Sequence, residues 1–222
     1  MGEQLKLTAA DDFNFGAYLA VPDGDIKGGI LVVQEIFGVN SHIREVCDGY
    51  AEKGYAALAP ALFDRVSPGV ELGYEEADMG EAFKIVGGLD QSKVPLDIQA
   101  GIAQLSQYGR VGVVGYCFGG TMAWLSACND WGASCAVGYY GGQIAQNADL
   151  TPKIPVMLHF GELDAHIPMS DVNTVIAAHP DVPIHVYDAD HGFNCDHRAS
   201  YDTAAATTAL ERSLSFFGAH VG

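Results

Sequence analysis

The sequence predicts an α/β protein: a mostly parallel central sheet with helices on both faces. Three observations lead there. Apolar, β-rich runs alternate with amphipathic stretches along the whole chain, as βα units require. Glycine and proline fall between these segments rather than inside them, so the turn signals agree with the periodicity. Chemically active residues sit just past several of the apolar runs, where open parallel sheets collect their ligands. With 222 residues and 23.5 kDa, the chain can bury a sizeable core in one unit, so residues 1–222 read as a single domain.

The runs are, in order, GAYLAVP from Gly16, GGILVVQEIFG from Gly28, YAALAPALF from Tyr55, RVGVVGYCFGG from Arg110, CAVGYYGG from Cys135, IPVMLHFGELD from Ile154 and PIHVYDADHGF from Pro183. Short continuous apolar runs of this kind suit strands covered on both faces. Helices are predicted at His42 to Lys53, Tyr74 to Ile85, Val94 to Tyr108, Gly119 to Ala127, Ser170 to His179 and Tyr201 to Phe217. In the third of these, Ile98, Ile102 and Leu105 recur at helical spacing and read as core. The stretch from Pro60 to Gly88 is the least regular; a surface connection is the simpler reading and a lid the alternative.

Composition excludes several classes. Acidic residues outnumber basic ones 28 to 11, for a formal net charge of -17, which repels a phosphate backbone and argues against a nucleic-acid partner. An anionic substrate would need a local reversal of that field, from Arg44, Arg65, Arg110, Arg198 or Arg212. No segment approaches the roughly 20 apolar residues of a membrane span, and MGEQLKLTAADDFNFGAYLAVP carries no secretory pattern, so a soluble, cytoplasmic protein is expected. Five cysteines without close pairing fit a reducing compartment. No metal-ligand spacing stands out, although Cys195 and His197 lie close to His191, and no metal is expected.

The stretch VGVVGYCFGG carries the first chemical signal. Gly115, Cys117 and Gly119 match the glycine–x–nucleophile–x–glycine spacing of the α/β-hydrolase elbow, between a strand and a helix. Alone, the motif leaves two readings open, because an unpaired cysteine is often a small buried hydrophobe. The order of later residues favours the nucleophile: Asp164 in HFGELDAHIP and then His191 in DADHGF follow later strands, as acid and histidine do in that fold. A thiol needs a base; His191 can take its proton, and Asp164 can fix the ring's tautomer.

Through QEIFGVN, GYCFGG, FGELDAHIP and DADHGF the chain resembles the dienelactone hydrolases (carboxymethylenebutenolidases), over nearly its whole length. The resemblance implies a cysteine-dependent α/β-hydrolase that opens dienelactone to maleylacetate. It carries the triad onto Cys117, Asp164 and His191, and a further carboxylate, which contacts the resting thiol and accepts its proton when substrate binds, onto Glu35. The alternative for Glu35 is an ion pair with Arg44 or a bond to a backbone amide. In this fold the oxyanion donors are the backbone N–H groups of Phe118 and Ile36. Of the family's two substrate-binding arginines, Arg198 matches the later one. The earlier has no counterpart, since Val66 to Gly109 holds only Lys84 and Lys93.

The expected partner is therefore a small lactone or ester, turned over without cofactor, and a monomer suffices for the chemistry. A broader carboxylesterase or thioesterase is the second enzyme reading, and a non-catalytic relative of the fold the third. Redox sensing through Cys117 ranks lower, for want of a nearby resolving cysteine. Cys47, Cys128 and Cys135 are expected to be packing residues.

Overall fold

The computed structural model describes residues 2–222. Eight strands hydrogen-bond into one sheet: β1 (Glu3–Thr8), β2 (Asn14–Ala20), β3 (Gly29–Val33), β4 (Ala56–Pro60), β5 (Val111–Tyr116), β6 (Cys135–Tyr139), β7 (Val156–Gly161) and β8 (Ile184–Tyr187). Their spatial order is β1-β2-β4-β3-β5-β6-β7-β8. From β4 to β8 every pairing is parallel, while β1 and β2 run antiparallel to their neighbours. The parallel strands β3, β4, β5, β6 and β7 are buried throughout, which accounts for their unbroken apolar character. This is the α/β-hydrolase architecture.

Six helices cover the sheet: α1 (Ser41–Glu52), α2 (Glu76–Gly88), α3 (Val94–Leu105), α4 (Phe118–Asn129), α5 (Met169–Ala178) and α6 (Thr203–His220). Helices α1 and α3 pack on β3 and β4, α4 on β5 and β6, and α6 on β6 and β7. Asn40 caps α1 by accepting from the Ile43 amide, and Asp202 caps α6 by accepting from Ala205. Among the described residues no helix is long and apolar enough to cross a membrane.

The predicted elements are all present, with two differences. Strand β1 was not expected, because at the sheet edge only Leu5 and Leu7 turn apolar side chains inward between Glu3, Gln4, Lys6 and Thr8. Helix α2 starts at Glu76 rather than Tyr74, since Glu75 and Asp78 form a reciprocal capping box. Tyr74 is thereby released to another task. The stretch from Pro60 to Gly88 is a short 3₁₀ turn (Leu62–Arg65), a loop and α2.

Two buried polar clusters brace the edge of the sheet where the strands end. Arg65 clamps Asp97 of α3 with two hydrogen bonds of 2.7 Å and reaches Asp11 at 3.0 and 3.1 Å. The same turn donates the Leu62 amide to Gln34 Oε1, which ties it to the loop after β3. At the other end, His159 lies between the Tyr187 hydroxyl at 2.9 Å and Ser213 Oγ at 3.1 Å, and Tyr139 also meets Ser213. Burial, with His185 and Arg212 nearby, pushes His159 down to about 3 and keeps it neutral.

Asp97 is fully buried, so removing it leaves the inner side of a largely buried guanidinium unpaired, with Asp11 holding only its outer side. Asp97→Ala is expected to cost about 3 kcal/mol, as loss of one partner of a buried pair does. A urea midpoint unchanged from wild type would show the clamp to be dispensable.

Candidate active site

The loops after β3, β5, β7 and β8 bring Glu35, Cys117, Asp164 and His191 to one edge of the sheet. Cys117 occupies the sharp turn between β5 and α4 with φ 53° and ψ -110°, a positive-φ conformation that non-glycine residues adopt at a cost of about 1–3 kcal/mol. The neighbours make that turn possible. A Cβ on Gly115 would fall on the Gly119 carbonyl, one on Gly119 on the Val33 carbonyl, and one on Gly120 on the Tyr139 carbonyl. The amide of Cys117 donates to Tyr139 O at 3.0 Å and that of Gly119 to Gln34 O at 3.1 Å, so the turn is fastened to both adjacent strands.

Asp164 and His191 meet as the sequence order implies. His191 Nδ1 lies 2.7 Å from Asp164 Oδ2, while Asp164 Oδ1 accepts the amides of His166 at 2.8 Å and Ile167 at 3.1 Å. Burial disfavours the Asp164 carboxylate, but His191 and those two amides outweigh it and hold the group below its usual range. For His191, burial disfavours the imidazolium, yet the hydrogen bond with Asp164 and the nearby Cys117 sulfur outweigh it and raise the ring to about 10. The imidazole also packs against Tyr140, with ring centroids 5.1 Å apart, and edge-on to His166 at 5.3 Å.

Glu35 is 1% exposed. Its Oε2 accepts the Tyr74 hydroxyl at 3.1 Å, and Arg198 lies 3.6 Å from Oε1, which has no hydrogen-bond partner among the described residues. The expected alternative partner, Arg44, is engaged with Glu71 and the Val39 carbonyl instead. Its side chain is drawn to the 70s loop, and Arg198, more than 160 residues away in sequence, takes the place beside Glu35. The Arg198 guanidinium sits 5.6 Å over the Tyr74 ring and 6.0 Å over Phe37, and Asn40 steadies Tyr74 through its hydroxyl. Lys84 pairs with Glu81 and Lys93 with Asp11.

Ile36 and Phe118 are half-buried, and neither backbone N–H is spent in the fold's own hydrogen bonds among the described residues. Two aromatic residues at this edge had no assigned role in the sequence reading. Tyr74 is the sole side-chain hydrogen-bond donor to Glu35 among the described residues; its signal was a lone tyrosine ahead of a capping sequence. Tyr140, at φ 36°, carries a buried hydroxyl without a partner among the described residues. Its signal was a second tyrosine directly after a strand. The other cysteines are inert by burial, which pushes Cys128 up to about 11 and Cys135 and Cys195 up to about 12.

Such an arrangement can attack an acyl carbon, shuttle a proton and stabilise an oxyanion. The model of the dienelactone hydrolase family matches residues 15–221. The carboxymethylenebutenolidase of Pseudomonas putida is 33% identical over 96% of this chain and 95% of its own. Carboxymethylenebutenolidase 1 of Cupriavidus pinatubonensis is 30% identical over 96% and 95%. A dienelactone hydrolase-like promiscuous phosphotriesterase from metagenomic libraries superimposes with a TM-score of 0.80 at 20% identity, covering 100% of this chain and 99% of that one, and shares the fold.

A raised His191 adds stability that is fully present below about pH 6.5 and lost as pH rises through about 10. The excess in Tm of wild type over His191→Gln should therefore shrink between pH 7 and 10. A difference that stays constant across that window would mean that the imidazole is not held protonated.

Proposed function

Since the chain belongs to the dienelactone hydrolase family, whose members hydrolyse esters, we propose that it opens a lactone through a covalent bond to Cys117, with dienelactone converted to maleylacetate. The observation that carries this reading is the positive-φ Cys117 at the elbow, with His191 hydrogen-bonded to Asp164 behind it. The Cys117 sulfur, its proton passed to His191, bonds to the lactone carbonyl carbon, and the N–H groups of Ile36 and Phe118 receive the negative charge on oxygen. Collapse breaks the ring C–O bond. The leaving enol oxygen takes the proton from His191 and ketonises, giving a maleylacetyl thioester. Water, deprotonated by His191, then attacks the thioester carbon; the C–S bond breaks and the thiol regains its proton.

The nearness of Cys117 to His191, which favours the imidazolium, supports His191 as the group that holds the thiol's proton before substrate arrives. Glu35 stands ready for a second part. A substrate carboxylate drawing Arg198 toward itself would loosen the long 3.6 Å pair and free a buried carboxylate, which can then accept a proton, as the family resemblance implies. Arg198 supplies a fork for that carboxylate.

A broader carboxylesterase is the second reading, favoured by one observation: the other basic side chains of the mid-chain region, Lys84 and Lys93, are paired elsewhere. Steady-state comparison of cis- and trans-dienelactone with p-nitrophenyl acetate separates the two. Cys117→Ala is expected to lower kcat/KM for all three by about 10⁴ or more. Arg198→Gln should lower kcat/KM for the dienelactones roughly tenfold more than for the neutral ester, the worth of one charge-assisted bond. Equal losses, or failure of wild type to open either dienelactone while the ester reacts, would retire dienelactone as substrate. Full activity in Cys117→Ala would overturn the cysteine mechanism.

A further inference from the structure

Beside Tyr74, the phenol that bonds Glu35, four side chains from two distant parts of the sequence converge. His42 and Glu45 lie three residues apart on α1 and so share a face. Asp196 and His197 come from the turn between His191 and Arg198. His42 Nδ1 is 3.2 Å from Asp196 Oδ1; His197 Nε2 is 2.7 Å from Glu45 Oε2 and 3.8 Å from Asp196 Oδ1. One donor atom from each of the four lies within 4.8 Å of all the others. A tetrahedral zinc site with bonds of about 2.0–2.1 Å sets its donors roughly 3.4 Å apart, so the side chains need only small adjustments to close on one ion.

We propose that this cluster is a divalent transition-metal site, of which zinc is the best match, and that it clamps the Asp196–Arg198 turn to the start of α1. Two imidazoles and two carboxylates form a mixed nitrogen and oxygen set that suits zinc and disfavours calcium or magnesium. With both rings neutral, the two carboxylates balance a dication, in a chain of net charge -17. The contacts are not two separate ion pairs, because His197 reaches both carboxylates and Asp196 reaches both histidines.

His42 supplies an independent sign. It is buried, and its Nε2 has no hydrogen-bond partner among the described residues. Its ring and that of His197 lie edge-on to Tyr74, with centroids 6.5 and 6.4 Å away, and the Tyr74 hydroxyl bonds Glu35. The site thus adjoins the active centre through Tyr74 and through the turn that carries Arg198. A surface cleft of about 230 Å³ lined by His42, Glu45 and Asp196 gives an ion its way in. Spacing along the sequence gave no such motif, since the two halves lie about 150 residues apart.

The test uses tag-free, chelator-stripped full-length protein carrying Cys117→Ala, which keeps the active-site thiol from binding metal. Titration with Co²⁺ should give one ion per chain with the intense visible absorption of tetrahedral cobalt, displaced by Zn²⁺. Binding should slow amide exchange at 194–198. Glu45→Gln and His197→Ala, both partly or fully exposed and each checked for an unaltered circular dichroism spectrum, should weaken Co²⁺ binding by more than about tenfold. A spectrum of octahedral cobalt only, or affinity unchanged in both variants, would overturn the site. Hydrolysis by metal-free protein with Cys117 intact bears on the proposed reaction alone, so the two readings fail separately.

Discussion

The closeness of three backbones at the elbow is the constraint on which the rest of this edge depends. Strand β5, the loop after β3 and the end of β6 approach so tightly that carbonyl oxygens of Val33, Gly119 and Tyr139 occupy the space where side chains of Gly119, Gly115 and Gly120 would begin. Only with that crowding does the chain turn at Cys117 through a conformation that an isolated cysteine avoids. The strain is repaid by burial of the flanking strands and helix and by hydrogen bonds from the elbow to Tyr139 and Gln34. In return Cys117 stands at the start of α4, where the Phe118 N–H is unspent among the described residues and the helix dipole favours negative charge.

Electrostatics around the elbow follow from putting carboxylates where water is scarce. Asp164 is stabilised by two backbone amides and His191, and it transmits that stabilisation to the imidazolium. Glu35 is satisfied differently, by one phenol and one distant arginine, leaving one oxygen without a hydrogen bond. A fully satisfied carboxylate orients, and an incompletely satisfied one can change partners. That contrast fits a site in which Asp164 holds geometry and Glu35 responds to the substrate.

What the sequence made legible was whatever is written locally. Apolar strand runs, their glycine punctuation and the elbow spacing lie within ten or so residues of each other, so β2 to β8 and Cys117 were readable. Asp164 and His191 were readable because each directly follows a strand, and their order matches the fold. Strand β1 was hidden by its exposed edge position, where alternating Lys6, Leu7 and Thr8 look like a polar terminus. Tyr74 was hidden inside a helix-like pattern, and only the Glu75–Asp78 cap shows that the helix begins later. The pairing of Glu35 with Arg198 instead of Arg44, like the convergence of α1 with the turn after His191, depends on contacts across some 150 residues that no local pattern records.

The central claim is that the strained Cys117 is the atom donor for a covalent acyl intermediate. Rapid mixing with p-nitrophenyl acetate, acid quench within the burst of p-nitrophenol, and peptide mapping by mass spectrometry tests it directly. The account predicts one acetyl group on the peptide that contains Cys117, attached at its sulfur. An acetyl group mapped to any other residue would contradict it.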